Sequence, residues 1–149
     1  MSVIKSVREF IKTCPLLQED SKGRVKIGVD YLNNDTTTYS LEEVPVNPIV
    51  KRYLDGSSVR QATFIFCSRE PYGPELQQQL NNSGFYEDFQ EWLEKSTREN
   101  ILPKLEGKKE SKSIEALTSG YAYSTDSNNA QYQIQINFKY FERIWWYGN

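Results

Sequence analysis

The chain has no histidine. That absence removes the commonest general base and metal ligand at neutral pH, so Ser-His and Cys-His nucleophile pairs cannot be assembled and a zinc site would need unusual ligands. Cysteine is nearly as scarce. Cys14 and Cys67 are the whole complement, without the short paired spacing of a metal knuckle or a disulfide framework, which fits a reducing cytosol. Cys67, at the end of an apolar run, reads as a small buried hydrophobe rather than a reactive thiol. No apolar run approaches membrane-spanning length, and Met1 to Cys14 alternates charged and apolar residues rather than forming a signal peptide. An excess of basic charge is also missing: the net charge of -2 over 149 residues leaves no general footprint for holding nucleic acid by phosphate neutralisation. Nor is there a glycine-rich phosphate loop, a nucleophile elbow or a spaced set of metal ligands. Together these gaps point away from an enzyme and imply no cofactor.

What is present is β-strand patterning. From Ala130 to Phe141, Tyr132, Ile134, Ile136, Phe138 and Tyr140 alternate with Gln131, Gln133, Gln135, Asn137 and Lys139, the period of a strand with one buried face. A slip of one residue would put the aromatic set in water, so the register of this strand is tightly specified. Arg24 to Leu32 alternates in the same way. Ile49 to Leu54 and Ser58 to Cys67 flank Asp55-Gly56, a strong hairpin signal whose turn positions both tolerate positive φ. Apolar residues on both faces of the second arm mark a central strand, while Lys51, Arg52, Arg60 and Gln61 suggest a polar arm projecting beyond it. Pro45 and Pro48 place Val44 to Pro48 at an edge or a crossing. Ser113 to Tyr123 reads as a further strand, with Gly120 marking a bulge.

Helices are expected at three places. Ser2 caps a first helix with the stripe Val3, Ile4, Val7, Phe10 and Ile11, ended by Pro15. Pro74 opens a short second helix to about Leu80, closed by Asn81-Asn82-Ser83-Gly84. Phe85 to Arg98 forms a third, with Phe85, Phe89, Trp92 and Leu93 facing the core and Glu87, Glu91 and Glu94 facing solvent. Residues 101–113 read as a mobile charged connection. The expectation is one α+β domain in the order α-β-β-β-α-α-β-β, with a largely antiparallel sheet of about four to five strands and helices on one face. An aromatic tail follows at residues 143–149, whose Trp145 and Trp146 offer apolar area to a partner.

Three blocks carry a family likeness: VPVNPIVKRYLDGSSVRQATFIFCSRE at Val44 to Glu70, NSGFYEDFQEWLE at Asn82 to Glu94, and GYAYSTDSNNAQYQIQINFKYFE at Gly120 to Glu142. Through them the chain resembles the tail terminator, or tail completion, proteins of bacteriophages and prophages of Gram-positive bacteria. The resemblance implies a non-enzymatic protein that caps the tail tube, ends its polymerisation and forms the head-tail joining surface, commonly as a hexameric ring. Its implied partners are copies of itself, the tail tube protein and head completion proteins, with DNA passing through the lumen without specific binding and no membrane contact. Its implied location is the bacterial host cytoplasm during assembly, then the virion or a phage-tail-like particle. A ring needs two different complementary patches on each subunit. The candidate interface residues are Lys51, Arg52, Asp55, Gly56 and Arg60 of the hairpin, the amide face of Gln131, Gln133, Gln135 and Asn137, and Trp145 and Trp146; the acidic helix face is another candidate patch. The alternative from a different class is a small α+β ligand-binding or enzymatic domain whose aromatics line a pocket.

Overall fold

The alternating stretch near the C-terminus becomes half of a long antiparallel pair on which the remaining strands are hung. A computed structural model describes residues 2–17, 23–29, 39–71, 76–125 and 129–144. In chain order the elements are α1 (Val3–Ile11), β1 (Ile27–Val29), β2 (Tyr39–Val44), β3 (Ile49–Arg52), β4 (Ser58–Pro71), α2 (Leu76–Arg98), β5 (Lys109–Ala116), β6 (Tyr121–Thr125) and β7 (Asn129–Glu142). Strands β4 and β7, of 14 residues each, pair antiparallel from Ser58 opposite Glu142 to Pro71 opposite Asn129. Each is flanked by two short strands laid end to end: β2 and β3 along β4, and β6 and β5 along β7. Among the described residues, only β1 runs parallel to its neighbour, β2. The fold is α+β with a mixed, largely antiparallel sheet.

Among the described residues that sheet has seven strands rather than four or five. Strand β2 is the unforeseen one. Its sequence, Tyr-Ser-Leu-Glu-Glu-Val, alternates only over Tyr39 to Glu42 before Glu43 breaks the pattern, too short a run to mark a strand. The expected strand from Ser113 to Tyr123 is two strands, β5 and β6. The first begins at Lys109, so the second part of the 101–113 connection is ladder backbone paired with Glu142 and Phe141. The Pro45 to Pro48 segment is the crossing between β2 and β3, as its missing donors require.

Both helices lie on one sheet face. Ser2 caps α1, its hydroxyl accepting the Lys5 N–H at 3.3 Å, and Val7 and Ile11 are wholly buried. Helix α2 is a single helix of 23 residues, not two. Asn81, Asn82, Ser83 and Gly84 are weak helix formers that cost up to about 1 kcal/mol apiece, but none of them removes a backbone donor as a proline would, so the helix runs through. It closes with Asn100 at φ 56, the Ile101 N–H bonding the Ser96 carbonyl and the Asn100 N–H that of Thr97. This satisfies the last orphan carbonyls.

The core is an aromatic stack between these layers. Phe66 of β4 lies between Tyr39 at 5.5 Å and Phe89 at 4.8 Å, and Phe10 of α1 stacks on Trp92 of α2 at 4.9 Å. Phe64, Phe66, Phe89 and Phe138 are completely buried, each contributing about 2–3 kcal/mol by removal from water. Tyr86 donates to the Tyr132 carbonyl at 3.1 Å and sits against Ser68. Gly120 is fixed by this packing: a Cβ there would lie 2.4 Å from Tyr86 Cβ. Close approach of the helix, rather than a bulge, explains that glycine; the bulge lies beyond it, between Ala122 and Ser124.

Candidate interaction surface

Three regions of the surface follow from this layout: the sheet edges, the hairpin end and the outer side of α2. Several backbone groups on the edges are covered by the chain's own side chains. On β5, the Thr97 hydroxyl accepts the Ile114 N–H at 3.1 Å and donates to the Ile114 carbonyl at 2.7 Å. Ser111 Oγ donates to the Pro103 carbonyl. On β1, Arg8 Nε donates to the Ile27 carbonyl at 2.7 Å. On β3, Asn47 Oδ1 takes the Ile49 N–H at 3.1 Å and the register shifts between Ile49 and Lys51. Such caps and bulges oppose open-ended strand addition.

The hairpin end is different. The turn is a three-residue loop, Leu54-Asp55-Gly56, with the Gly56 N–H on the Tyr53 carbonyl at 3.0 Å and the Tyr53 N–H on the Ser57 carbonyl at 2.8 Å. Gly56 alone takes positive φ, at 91°, whereas the Asp55 carboxylate accepts the Ser57 N–H at 2.8 Å. The Asp-Gly signal therefore gives a type I turn closed by a glycine bulge, not a turn with two positive-φ residues. Strand β4 is already paired with β7 at Ser58, so only Tyr53 to Ser57 reaches past the ladder. Leu54 at its apex is fully exposed, and Val46, Val50, Tyr53 and Ile144 are substantially so. Tyr53 meets Phe141 edge to face at 5.8 Å, and with Leu54 they line a shallow apolar groove of about 490 Å³.

Cations surround this apolar cap. Lys51 Nζ lies 5.1 Å over the Tyr53 ring and Lys112 Nζ 5.8 Å over that of Phe141. Lys51 and Arg52 are exposed and make no ion pair among the described residues. Arg60 is committed: its guanidinium holds Glu142 at 3.0 Å and Ser58 Oγ at 3.1 Å. Beneath it, burial and then the Glu142 charge raise the Tyr140 hydroxyl above its ordinary pKa.

The amide face of β7 is knitted into the sheet. Thr63 Oγ1 donates to Asn137 Oδ1 at 3.1 Å, and Gln133 Nε2 donates to the Tyr121 hydroxyl at 2.7 Å. Gln131 Nε2 and Gln133 Oε1 flank the Cys67 thiol at 3.9 and 3.8 Å. Gln133 and Asn137 are buried, while Gln131 and Gln135 are half-buried. Burial, then the Glu42 charge, pushes the Cys67 thiol up to about 11, and burial does the same for Cys14. Both thiols are thus protonated at neutral pH and unsuited to attack.

On the outer side of α2, Glu87, Asp88, Glu91 and Glu94 are exposed. Asp88, Glu91 and Glu94 rim a groove of about 500 Å³ whose floor is Pro15, Leu16 and the half-buried Trp92, with Lys95 and Arg98 on its C-terminal lip.

Of the sequence candidates, then, Lys51 and Arg52 are exposed at the hairpin end. Asp55 and Gly56 build the turn, Arg60 anchors it to β7, and the amides mostly bond one another's neighbours. Trp145 and Trp146 lie outside the described residues. Sequence reasoning missed Val50, Tyr53, Leu54, Phe141 and Ile144 as a surface. The signal was there in Tyr53-Leu54, two large apolar residues beside a turn dipeptide, where polar ones are ordinary. Among the described residues no helix is long and apolar enough to cross a membrane, and no three His, Cys, Asp or Glu side chains gather as metal ligands. Comparison with protein-family models, curated proteins and solved structures gives no match to the chain.

Proposed function

We propose that this chain is a structural assembly protein of a phage or prophage tail. It caps the tail tube, ends its polymerisation and forms the surface on which the head is joined, as a closed, hexameric ring. The blocks resembling tail terminators motivate the reading, and one structural observation carries it: Thr97, Arg8 and Asn47 each cap one position on a sheet edge, whereas the hairpin end displays Val50, Tyr53 and Leu54 to solvent. A protein that ends a polymer must engage neighbours without offering an edge for further strand addition, and side-chain docking at a defined patch does that. No catalytic role is assigned. Copies of the chain, the tube protein and head completion proteins are its partners, and DNA passes through the ring without specific binding. It acts in the bacterial host cytoplasm during assembly and stays in the virion or tail-like particle.

The test is to mix the purified chain with tubes of the tail tube protein from the same phage or prophage and image the tube ends by electron microscopy, alongside particles lacking the gene. Ring-shaped density at one tube end, and tails of uncontrolled length without the gene, are expected. Bare tube ends together with tails of normal length would overturn the reading.

A further inference from the structure

The net charge of -2 conceals an uneven distribution. The register sets Arg52 opposite Ser58, Ser58 opposite Glu142 and Glu142 opposite Lys109, so the hairpin, the end of β7 and the start of β5 meet at one end of the sheet. The segments gathered there, residues 49–61, 106–113 and 139–144, carry eight Lys or Arg against four Asp or Glu, a local charge of +4. The rest of the chain carries ten against sixteen, a charge of -6. All four carboxylates at the basic end are engaged. Glu142 takes Arg60 at 3.0 Å and Lys109 at 3.9 Å, Glu110 takes Lys112 at 3.5 Å, Asp55 accepts the Ser57 N–H at 2.8 Å, and Glu106 is not free. Lys51, Arg52, Lys108 and Arg143 are exposed and face no carboxylate among the described residues. The ladder continues past Glu142 through the Arg143 N–H on the Lys108 carbonyl at 2.9 Å, which holds these two cations side by side. With Gly107, at φ 67, and with Lys109 and Glu110 they line a cavity of about 160 Å³.

We propose that this end of the sheet holds the phosphate backbone of duplex DNA, with Lys51 and Arg52 on the β3 side and Lys108 and Arg143 on the β5–β7 side. Neighbouring strands lie about 4.8 Å apart, so the four cations spread over three spacings, about 14 Å, a length in which one DNA strand presents about four phosphates. Four cations meet four charges. The acidic remainder of the chain repels DNA elsewhere and turns the basic end towards it. The contact is to phosphate and reads no sequence. Lys51 Nζ sits 5.1 Å over the Tyr53 ring and Lys112 Nζ 5.8 Å over that of Phe141, so the rings carry lysines where a single-strand platform would stack bases. A duplex, with its denser charge, is therefore the preferred form. This goes beyond the tail reading, which gives DNA a passage and no site, and does not depend on it.

The test is fluorescence anisotropy of the full chain with short labelled duplexes of two unrelated sequences. Both are expected to bind alike, with affinity falling roughly a hundredfold between about 50 and about 200 mM salt, as four phosphate contacts require. Two variants, Lys108→Glu/Arg143→Glu and Lys51→Glu/Arg52→Glu, each remove half of the contact. Each is expected to bind at least about tenfold more weakly and to flatten the logarithmic salt slope by about two. Lys95→Glu/Arg98→Glu makes the same change in net charge on α2 and is expected to stay within about twofold of the natural chain. All six positions are exposed, so circular dichroism is expected to match throughout. No binding at about 50 mM salt, or an equal loss in the α2 variant, would overturn the proposal. Tighter binding to single strands than to duplex would also overturn it. So would polyglutamate competing as well as unlabelled duplex, which would assign the basic end to an acidic protein. Capped tubes without DNA binding would remove this contact and leave the tail reading; bare tubes with salt-dependent DNA binding would do the reverse.

Discussion

The middle of the β4–β7 pair and its hairpin end are built from the same kinds of residue and used in opposite ways. In the helix-covered middle, Phe64, Phe66, Ile134 and Ile136 are wholly buried beneath α1 and α2. At the hairpin end, Val50, Tyr53, Leu54 and Ile144 face water. Burial of the first group drives folding, because apolar area leaves water when the helices dock. The second group contributes little to folding since its area stays wet in the isolated chain. Residue type alone does not separate a core from a contact surface. What separates them is whether the chain has a layer left to place over them.

The comparison breaks first at Phe66. Phe66→Ala removes a ring stacked between Tyr39 and Phe89, and a loss of about 3–5 kcal/mol is expected from urea unfolding. A loss below about 1 kcal/mol would mean that the covered middle is not the core.

Much of that covered middle is readable beforehand, and the reason is periodicity. Five apolar residues on alternate positions of β7 admit one register, and the stripe on α1 has a capping serine in front of it. Asn81 to Gly84 resembles a stop and predicts two helices where α2 is one, because weak propensity weakens a helix without removing a backbone donor. Strand β2 is hidden because its alternation runs only from Tyr39 to Glu42 before Glu43 breaks it. The contact surface was half legible. The Asp-Gly turn located it and its lysine and arginine were visible, but the exposure of Leu54 depends on which side of the loop is left uncovered, and that is a tertiary fact.

Alkaline titration sharpens the contrast next, since Cys14 lies in the helix-covered core while Cys67 is buried on the opposite sheet face beside Gln131 and Gln133. Each has a folded pKa near 11, above the ordinary 9.0. Between these values the unfolded chain loses its thiol proton while the folded chain keeps it, so stability is intact below about pH 9 and falls as the pH rises toward 11. The expected loss is up to about 2–3 kcal/mol per thiol, read from urea midpoints at stepped pH. Cys67→Ser should flatten part of that slope, and an unchanged slope would mean that the Cys67 thiol is not buried. A smaller effect is expected at Gly120, where Gly120→Ala forces a methyl against Tyr86 and costs roughly 1–3 kcal/mol in the same assay. A neutral outcome would mean that α2 does not approach β6 as closely as described.

Leu54 is the smallest perturbation of the fold and the largest of the surface. Leu54→Asp is expected to leave the urea midpoint within about 0.5 kcal/mol of the natural chain, because the side chain touches solvent on both sides of folding. The direct test is sedimentation of this variant beside the natural chain at equal concentration in low salt. Association of the natural chain with the variant remaining monomeric is the expected result, and identical sedimentation of the two would contradict a hairpin end built for a neighbour.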